Sequence, residues 1–174
     1  MDKKSITVIL GTARDGNWSQ KVASYVCETL KERSDIDVTF VNVKEYIYGR
    51  TIAPWENNPI ISNWGKLVDK TDIFIIVFPE YNHGYPGELK ILLDQEYTLY
   101  KRKKVGLCGV SKGIFGGVRG IENIKPVLIE LGLVVNQYSV YFSGVQELFK
   151  KPKEEIDTHY KDRVNKLVDL LLKD

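Results

Sequence analysis

Residues 73–90 read IFIIVFPEYNHGYPGELK. The first six are apolar without a break, the pattern of a parallel strand covered on both faces. The polar stretch that follows opens on Pro79 and closes on Pro86-Gly87. Beyond it, Leu89, Leu92, Leu93 and Tyr97 recur at the spacing of one helix face. In open α/β sheets ligands bind in the crevice beyond the carboxyl ends of the strands. This one stretch therefore points to a fold class and to a place for a site.

The same alternation continues outward. Strands are predicted over 5–10, 38–43, 105–110 and 134–142, and helices over 19–33, 60–68, 87–100 and 120–131. Ile156, Tyr160, Val164, Leu167 and Leu171 mark a terminal helix. With 73–78 as the third strand, five strands alternate with five helices, which predicts an α/β parallel sheet with helices on both faces. The wholly apolar third strand belongs at the centre. The second, which alternates with polar residues, belongs near an edge. A strand order of 2-1-3-4-5 satisfies both, with its switch point between the first and third strands. The chain of 174 residues suits a single domain, 1–174, with no repeat or linker. Residues 44–59 form the longest irregular stretch, a length usual for functional or mobile loops.

Composition excludes several classes. Hydrophobic residues make up 43% and charged residues 28%, with a net charge of +2, so no global signal points to nucleic acid or to a membrane surface. Cys27 and Cys108 read as small buried hydrophobes, and no spaced Cys/His cluster suggests a metal or a disulfide framework. The few apolar residues of the first strand are too short for the core of a signal peptide, so a cytoplasmic protein is expected. The basic run 101–104 reads as the solvated end of a helix before a strand.

Three loops leave the predicted carboxyl edge, and none has the composition of an ordinary turn. The first, GTARDGNWSQ over 11–20, joins a strand to a helix start, where free N–H groups and the helix dipole favour an anion. Thr12, Asn17 and Ser19 add neutral donors and Arg14 a charge; the bland alternative makes Ser19 the helix cap and Arg14 a surface residue. The loop is neither a P-loop nor a GxGxxG turn. In the second loop, backbone groups and Asn82 could pair with the edge of a flat heterocycle, and Tyr81 could stack on it. His83 is read as a loop histidine beside the ligand rather than as an acid or base, and His159 as a solvent-side residue. Glu80 and Asp94 are too far apart in the pattern to work as a carboxylate pair. The third loop, over 111–120, holds four glycines, which let a backbone approach a ligand closely.

These residues carry a resemblance. GTARDGNWSQKVA (11–23), PEYNHGYPGELK (79–90) and SKGIFGGVRGIENIKPVLIELG (111–132) are together similar to the NAD(P)H-dependent FMN reductase family. That family is flavodoxin-like and includes quinone, azo-dye and chromate reductases. The resemblance implies a three-layer sandwich and a bound FMN. Its phosphate is expected on Thr12, Arg14, Asn17, Ser19 and Gln20 with the backbone N–H groups of Trp18 to Gln20. Its ring is expected along Pro79, Glu80, Tyr81 and Asn82, bounded by Ser111, Lys112, Gly113 and Gly116. Where relatives often read Asn-Ala-Ile-Asp-Trp, this chain has Ile91-Leu92-Leu93-Asp94-Gln95.

The implied activity is hydride transfer from NADPH or NADH to FMN and then to a second acceptor: a quinone, an azo compound, free flavin or a metal oxyanion. A backbone N–H from residues 80–82 is expected near the reactive ring nitrogen, and donors from 112–113 at the opposite edge. No catalytic side chain and no metal are expected, since the cofactor carries the reactivity. The run 101–104 could meet a 2′-phosphate of NADPH. The partners implied are a small-molecule acceptor and a second copy of the chain, as a homodimer or homotetramer. The rival readings are a flavodoxin-like electron carrier and a slow flavin-binding stress or regulatory protein.

Overall fold

The computed structural model describes residues 3–173; Met1, Asp2 and Asp174, which belong to the 1–174 range and to the reading of the N-terminus, lie outside the described residues. Strands β1 (Lys4–Leu10), β2 (Ile36–Asn42), β3 (Ile73–Pro79) and β4 (Lys104–Val110) run parallel in the order β2-β1-β3-β4. The fourth strand is flanked on its outer side by two short pieces, β5 (Val134–Val135) and β6 (Val140–Phe142). The expected order 2-1-3-4-5 is the order found.

The alternation of β3 explains the layers. Ile73, Ile75 and Val77 point to one face, and Phe74, Ile76 and Phe78 to the other. On the first face they meet α1 (Trp18–Lys31) and α6 (Lys153–Leu172) through Val22, Val26, Leu30, Val164, Leu167 and Leu171. On the second they meet α2 (Pro59–Lys70), α3 (Gly87–Leu93) and α4 (Val118–Glu130) through Trp64, Leu89, Leu92, Ile121 and Leu128. Each such aliphatic side chain, fully buried, contributes about 1.5–3 kcal/mol. That is why a strand with no polar residue sits at the centre. Within the second layer the Trp64 indole N–H donates to the Tyr100 hydroxyl at 2.9 Å, so that burial leaves neither unpaired.

Two elements differ from the sequence pattern. The third helix, expected over 87–100, ends at Leu93. Glu96 breaks it: its carboxylate accepts the N–H groups of Tyr97, Thr98 and Leu99 and winds them into a separate turn. Burial opposes the charge on Glu96, but these donors prevail and hold its carboxyl below the usual carboxylate range. The fifth strand, expected over 134–142, is split. The Asn136 side chain accepts the Tyr138 N–H at 2.8 Å and turns the chain out, and pairing with β4 resumes at Val140. A short helix, α5 (Val145–Leu148), follows with no counterpart in the sequence reading.

In the long irregular stretch, Ile52 is buried and Trp55 stands out in solvent. Among the described residues no helix is long and apolar enough to cross a membrane.

Candidate functional site

The loops after β1, β3 and β4 meet at the carboxyl edge around a crevice of about 420 Å³, within the size usual for small-molecule sites. Its walls include Arg14, Asn17, Trp18 and Ser19 from the first loop, Pro79, Glu80 and Tyr81 from the second, and Ser111 and Lys112 from the third. Thr12, Gln20, Asn82, Gly113 and Gly116 do not line it.

The first loop is shaped by Asn17. Its side-chain oxygen accepts the Gln20 N–H at 2.7 Å, and its amide donates to the Arg14 carbonyl at 2.5 Å. Asn17, not Ser19, is therefore the helix cap, and the Gln20 N–H is already used. Ser19 sits in the first turn of α1, 1% exposed, on the crevice wall. The first-turn N–H groups of Trp18 and Ser19 have no partner within the helix, and no acidic side chain stands in that turn. Asp15 also lines the crevice, but its carboxylate is drawn off by Lys44 at 3.0 Å. The Thr12 hydroxyl is turned inward: it lies 3.1 Å from the Tyr81 hydroxyl and accepts the Arg14 N–H at 3.3 Å.

The second loop is a tight two-residue turn. Tyr81 and Gly84 exchange backbone hydrogen bonds of 3.0 and 2.9 Å. Asn82 and His83 between them both have left-handed backbones, with φ of 49° and 66°, the geometry of a type I′ turn. Asn tolerates that region well; His does so less often. The His83 carbonyl is held by the Asn123 amide at 2.6 Å, and its side chain lines a separate hollow with Arg119 and Glu122. The Glu80 N–H donates to Val110 and that of Tyr81 to Gly84. Of the three N–H groups in the stretch expected to bring one to the ring, only that of Asn82 stays free among the described residues.

Glu80 has a different task. The start of α4 is Gly117, which brings no side-chain cap. The Glu80 carboxylate supplies it, accepting the Arg119 N–H at 3.1 Å and pairing with the Arg119 guanidinium at 3.5 Å. Asp94 pairs instead with Lys90 at 2.5 Å, so the two carboxylates do not act together. The third loop is pinned from beneath: Ser111 donates to Phe142, while Val145 and Gly144 donate to Ser111 and Gly113. The N–H groups of Lys112 and Gly113 are left without acceptors among the described residues. Cys108 lies three residues before Ser111, within β4, but burial pushes its thiol up to about 12, which disfavours the thiolate a nucleophile needs.

Three helices, α1, α3 and α4, follow β1, β3 and β4 directly at this edge, and electrostatics separates them; the short α5 also starts at the crevice wall, but its Val145 N–H is taken by the Ser111 carbonyl. The α3 start carries Glu88 in its own first turn, and the α4 start is served by Glu80. Of these starts, among the described residues, α1 alone joins open N–H groups to a hydroxyl and a guanidinium and has no acidic side chain in its first turn, the combination that receives a dianion. A broader groove of about 690 Å³ runs along the outer side of α1, past Gln20 and Tyr25. Of its three lysines, Lys151 and Lys153 are committed to Glu155, Asp157 and Glu32, and Lys21 lies over the Trp18 ring at 4.5 Å, so the crevice between the loops holds the better chemistry.

The basic run is not part of this site. Lys104 opens β4, a strand of seven residues that reaches the crevice only at its far end, roughly 20 Å away at about 3.3 Å per residue. Lys103 instead donates to the Asp69 and Thr71 carbonyls at the end of α2. The run that could meet a 2′-phosphate thus lies at the opposite end of β4 from the crevice. Residues that sequence reasoning missed are Val110 and Val145 in the wall and the Lys44 that quiets Asp15. Nothing local to those positions signals their role.

The model of a family described as NADPH-dependent FMN reductase matches residues 5–147. An NAD(P)H-dependent FMN reductase of Schizosaccharomyces pombe is 30% identical over 132 residues, which cover 70% of this chain and 64% of that protein, just under two thirds of its length. A quinone reductase of Escherichia coli is 24% identical over 149 residues, covering 83% of this chain and 79% of its own. Among solved structures, the flavoenzyme NAD(P)H:(acceptor) oxidoreductase of Paracoccus denitrificans superposes with a TM-score of 0.69 at 18% identity, covering 94% of this chain and 98% of its own.

Proposed function

The chain belongs to the NADPH-dependent FMN reductase family, and from that premise we propose that it reduces a small-molecule acceptor with electrons from NADPH or NADH, through FMN held in the crevice between the three loops. The observation that carries the reading is the state of the three helix starts. Glu80 caps α4 and Glu88 places a carboxylate in the first turn of α3, whereas α1 has no acidic side chain in its first turn and stands beside Arg14 and Ser19. That donor set fits a phosphate monoester. The walls formed by Pro79 and Tyr81 on one side and Lys112 on the other fit a flat ring, with the Lys112 N–H available to its polar edge and the unpaired Asn82 and Gly113 N–H groups just outside the wall.

When bound, FMN supplies the hydride chemistry, accepting from the nicotinamide and passing electrons onward. This chain's residues bind, orient and tune. Arg14, Ser19 and the first turn of α1 hold the anionic end. The type I′ turn at 81–84 presents one N–H in a fixed direction. Lys112 and the free N–H groups beside it place positive potential where charge develops, which is electrostatic preorganisation. A quinone-type acceptor would enter the space that the nucleotide leaves. The modest net charge of +2 favours the enzyme over an electron carrier, for which a strongly acidic surface is usual.

Two measurements test this. The purified protein should be yellow, and should oxidise NADPH or NADH when a quinone is added. A colourless protein that takes up no added FMN removes the cofactor; a yellow one that turns over neither nucleotide removes the reductase. The reading also includes a cytoplasmic homodimer or homotetramer. Trp55 is 87% and Tyr97 59% exposed, and both line one hollow, apolar surface that a second copy could cover. Light scattering should return twice or four times the 19.9 kDa of the chain; a monomer at micromolar concentration rejects this part.

A further inference from the structure

Glu88 stands second in α3, where the helix dipole favours a carboxylate. It is half-buried and does not line the crevice. Its Oε1 nevertheless reaches across to the first loop, accepting the Ala13 N–H at 3.2 Å and the Thr12 hydroxyl at 3.5 Å. The bonding of Thr12 then closes. Its oxygen receives the Arg14 N–H and the Tyr81 hydroxyl, and its one hydrogen goes to Glu88. A single carboxylate oxygen thus organises three consecutive residues, 12–14, of the loop expected to take the phosphate.

We propose that Glu88 is a positioning residue for the cofactor: it clamps the 12–14 turn against the second loop, so that Arg14 and the open start of α1 face the crevice before FMN arrives. The inference rests on the FMN reading of this site. Its physical basis is preorganisation, since a loop already ordered loses less freedom on binding. Glu88 touches neither the phosphate nor the ring, and its negative charge, taken alone, opposes the anion. The benefit lies in the acceptor geometry, not in the charge, and that distinction makes the proposal testable.

FMN affinity is measured by quenching of flavin fluorescence in apoprotein prepared from the wild type, Glu88→Ala and Glu88→Gln. Glu88→Ala should bind roughly 10-fold or more weakly, because the Ala13 N–H and the Thr12 hydroxyl lose their acceptor. Glu88→Gln keeps an acceptor oxygen at the same place and should stay within about 3-fold of the wild type. Thr12→Val should weaken binding to a similar degree, and combining it with Glu88→Ala should add little, since both remove one network. If Glu88→Ala does not fold, Thr12→Val carries the test, and unchanged affinity there rejects the proposal. Equal affinity of Glu88→Ala and the wild type rejects it, as does a glutamine variant no better than the alanine one. Tighter binding by both Glu88 variants would show that the charge dominates and also rejects it. A wild-type protein that leaves flavin fluorescence unquenched removes the cofactor reading and this inference together; the other negative outcomes remove the inference alone.

Discussion

The double variant Arg14→Ala, Ser19→Ala is expected to lose FMN affinity by roughly two orders of magnitude. Ser19 is 1% exposed and lines the crevice in the first turn of α1, so its hydroxyl would meet a phosphate in a largely dry setting. A hydrogen bond to a charged partner there contributes about 1.5–3 kcal/mol. Arg14 is exposed, so its contribution is screened and falls near about 1 kcal/mol. Together they amount to about 3 kcal/mol, a factor of roughly 150 at about 1.4 kcal/mol per tenfold. The Arg14 share should shrink with added salt while the Ser19 share persists, because screening acts on exposed charges and less on buried ones. Fluorescence titration of the single and double variants at low and high salt separates the two. Affinity unchanged in the double variant would move the phosphate to another part of the fold.

Gly116→Ala should be the most damaging conservative substitution in the third loop. Gly116 has a φ of +59°, and a Cβ there would lie 2.6 Å from the Tyr141 Cβ, 2.8 Å from its carbonyl carbon and 3.0 Å from its Cα. These are backbone atoms and the root of a side chain, which cannot swing aside. The left-handed backbone alone costs about 1–2 kcal/mol for an L residue, and forced overpacking adds about 1–3 kcal/mol. A total of about 3 kcal/mol is a large share of the roughly 5–15 kcal/mol that holds a domain together. It should lower the melting temperature by roughly 6–12 °C in a chain of this size. Gly16→Ala is the control. Its φ is +63°, but nothing lies within 4 Å of the added Cβ, so only the backbone part should appear. A Gly116→Ala protein that melts within about 2 °C of the wild type would mean that the third loop can settle elsewhere.

Gly116 also shows how site and scaffold differ. The resemblance places it against the flavin; here it is buried against Tyr141 of β6 and does not line the crevice. Thr12 and Glu80 follow the same rule. Both belong to the motifs that identify the family, and both spend their polar atoms on neighbouring loops. Asn17 caps α1. A motif read along the chain marks which residues gather at the site without separating those that touch a ligand from those that hold the others in place.

Much of this protein was legible in order along the chain. The unbroken apolar run 73–78 required cover on both faces, and the alternation of strand and helix then led to the sheet order that the structure has. Such features are local: a period of two or 3.6 residues records which face meets the core. The loops after β1, β3 and β4 could likewise be placed on one edge, because parallel strands all end on the same side. What the sequence could not decide depends on contacts between distant residues. Thr12 meets Tyr81 across 69 residues, Ala13 meets Glu88 across 75, and Arg119 meets Glu80 across 39. Those contacts set which polar groups at the edge are already taken: Glu80 caps the start of α4, and Glu88 and Tyr81 hold Thr12 and Ala13 of the first loop, while the start of α1 remains for an anion. They exist only once the sheet has brought three strand ends side by side. The sequence by itself determined the sheet, its order and the edge where the site lies; only the tertiary structure decided which donors at that edge are free, because a donor is free only when no neighbour has taken it.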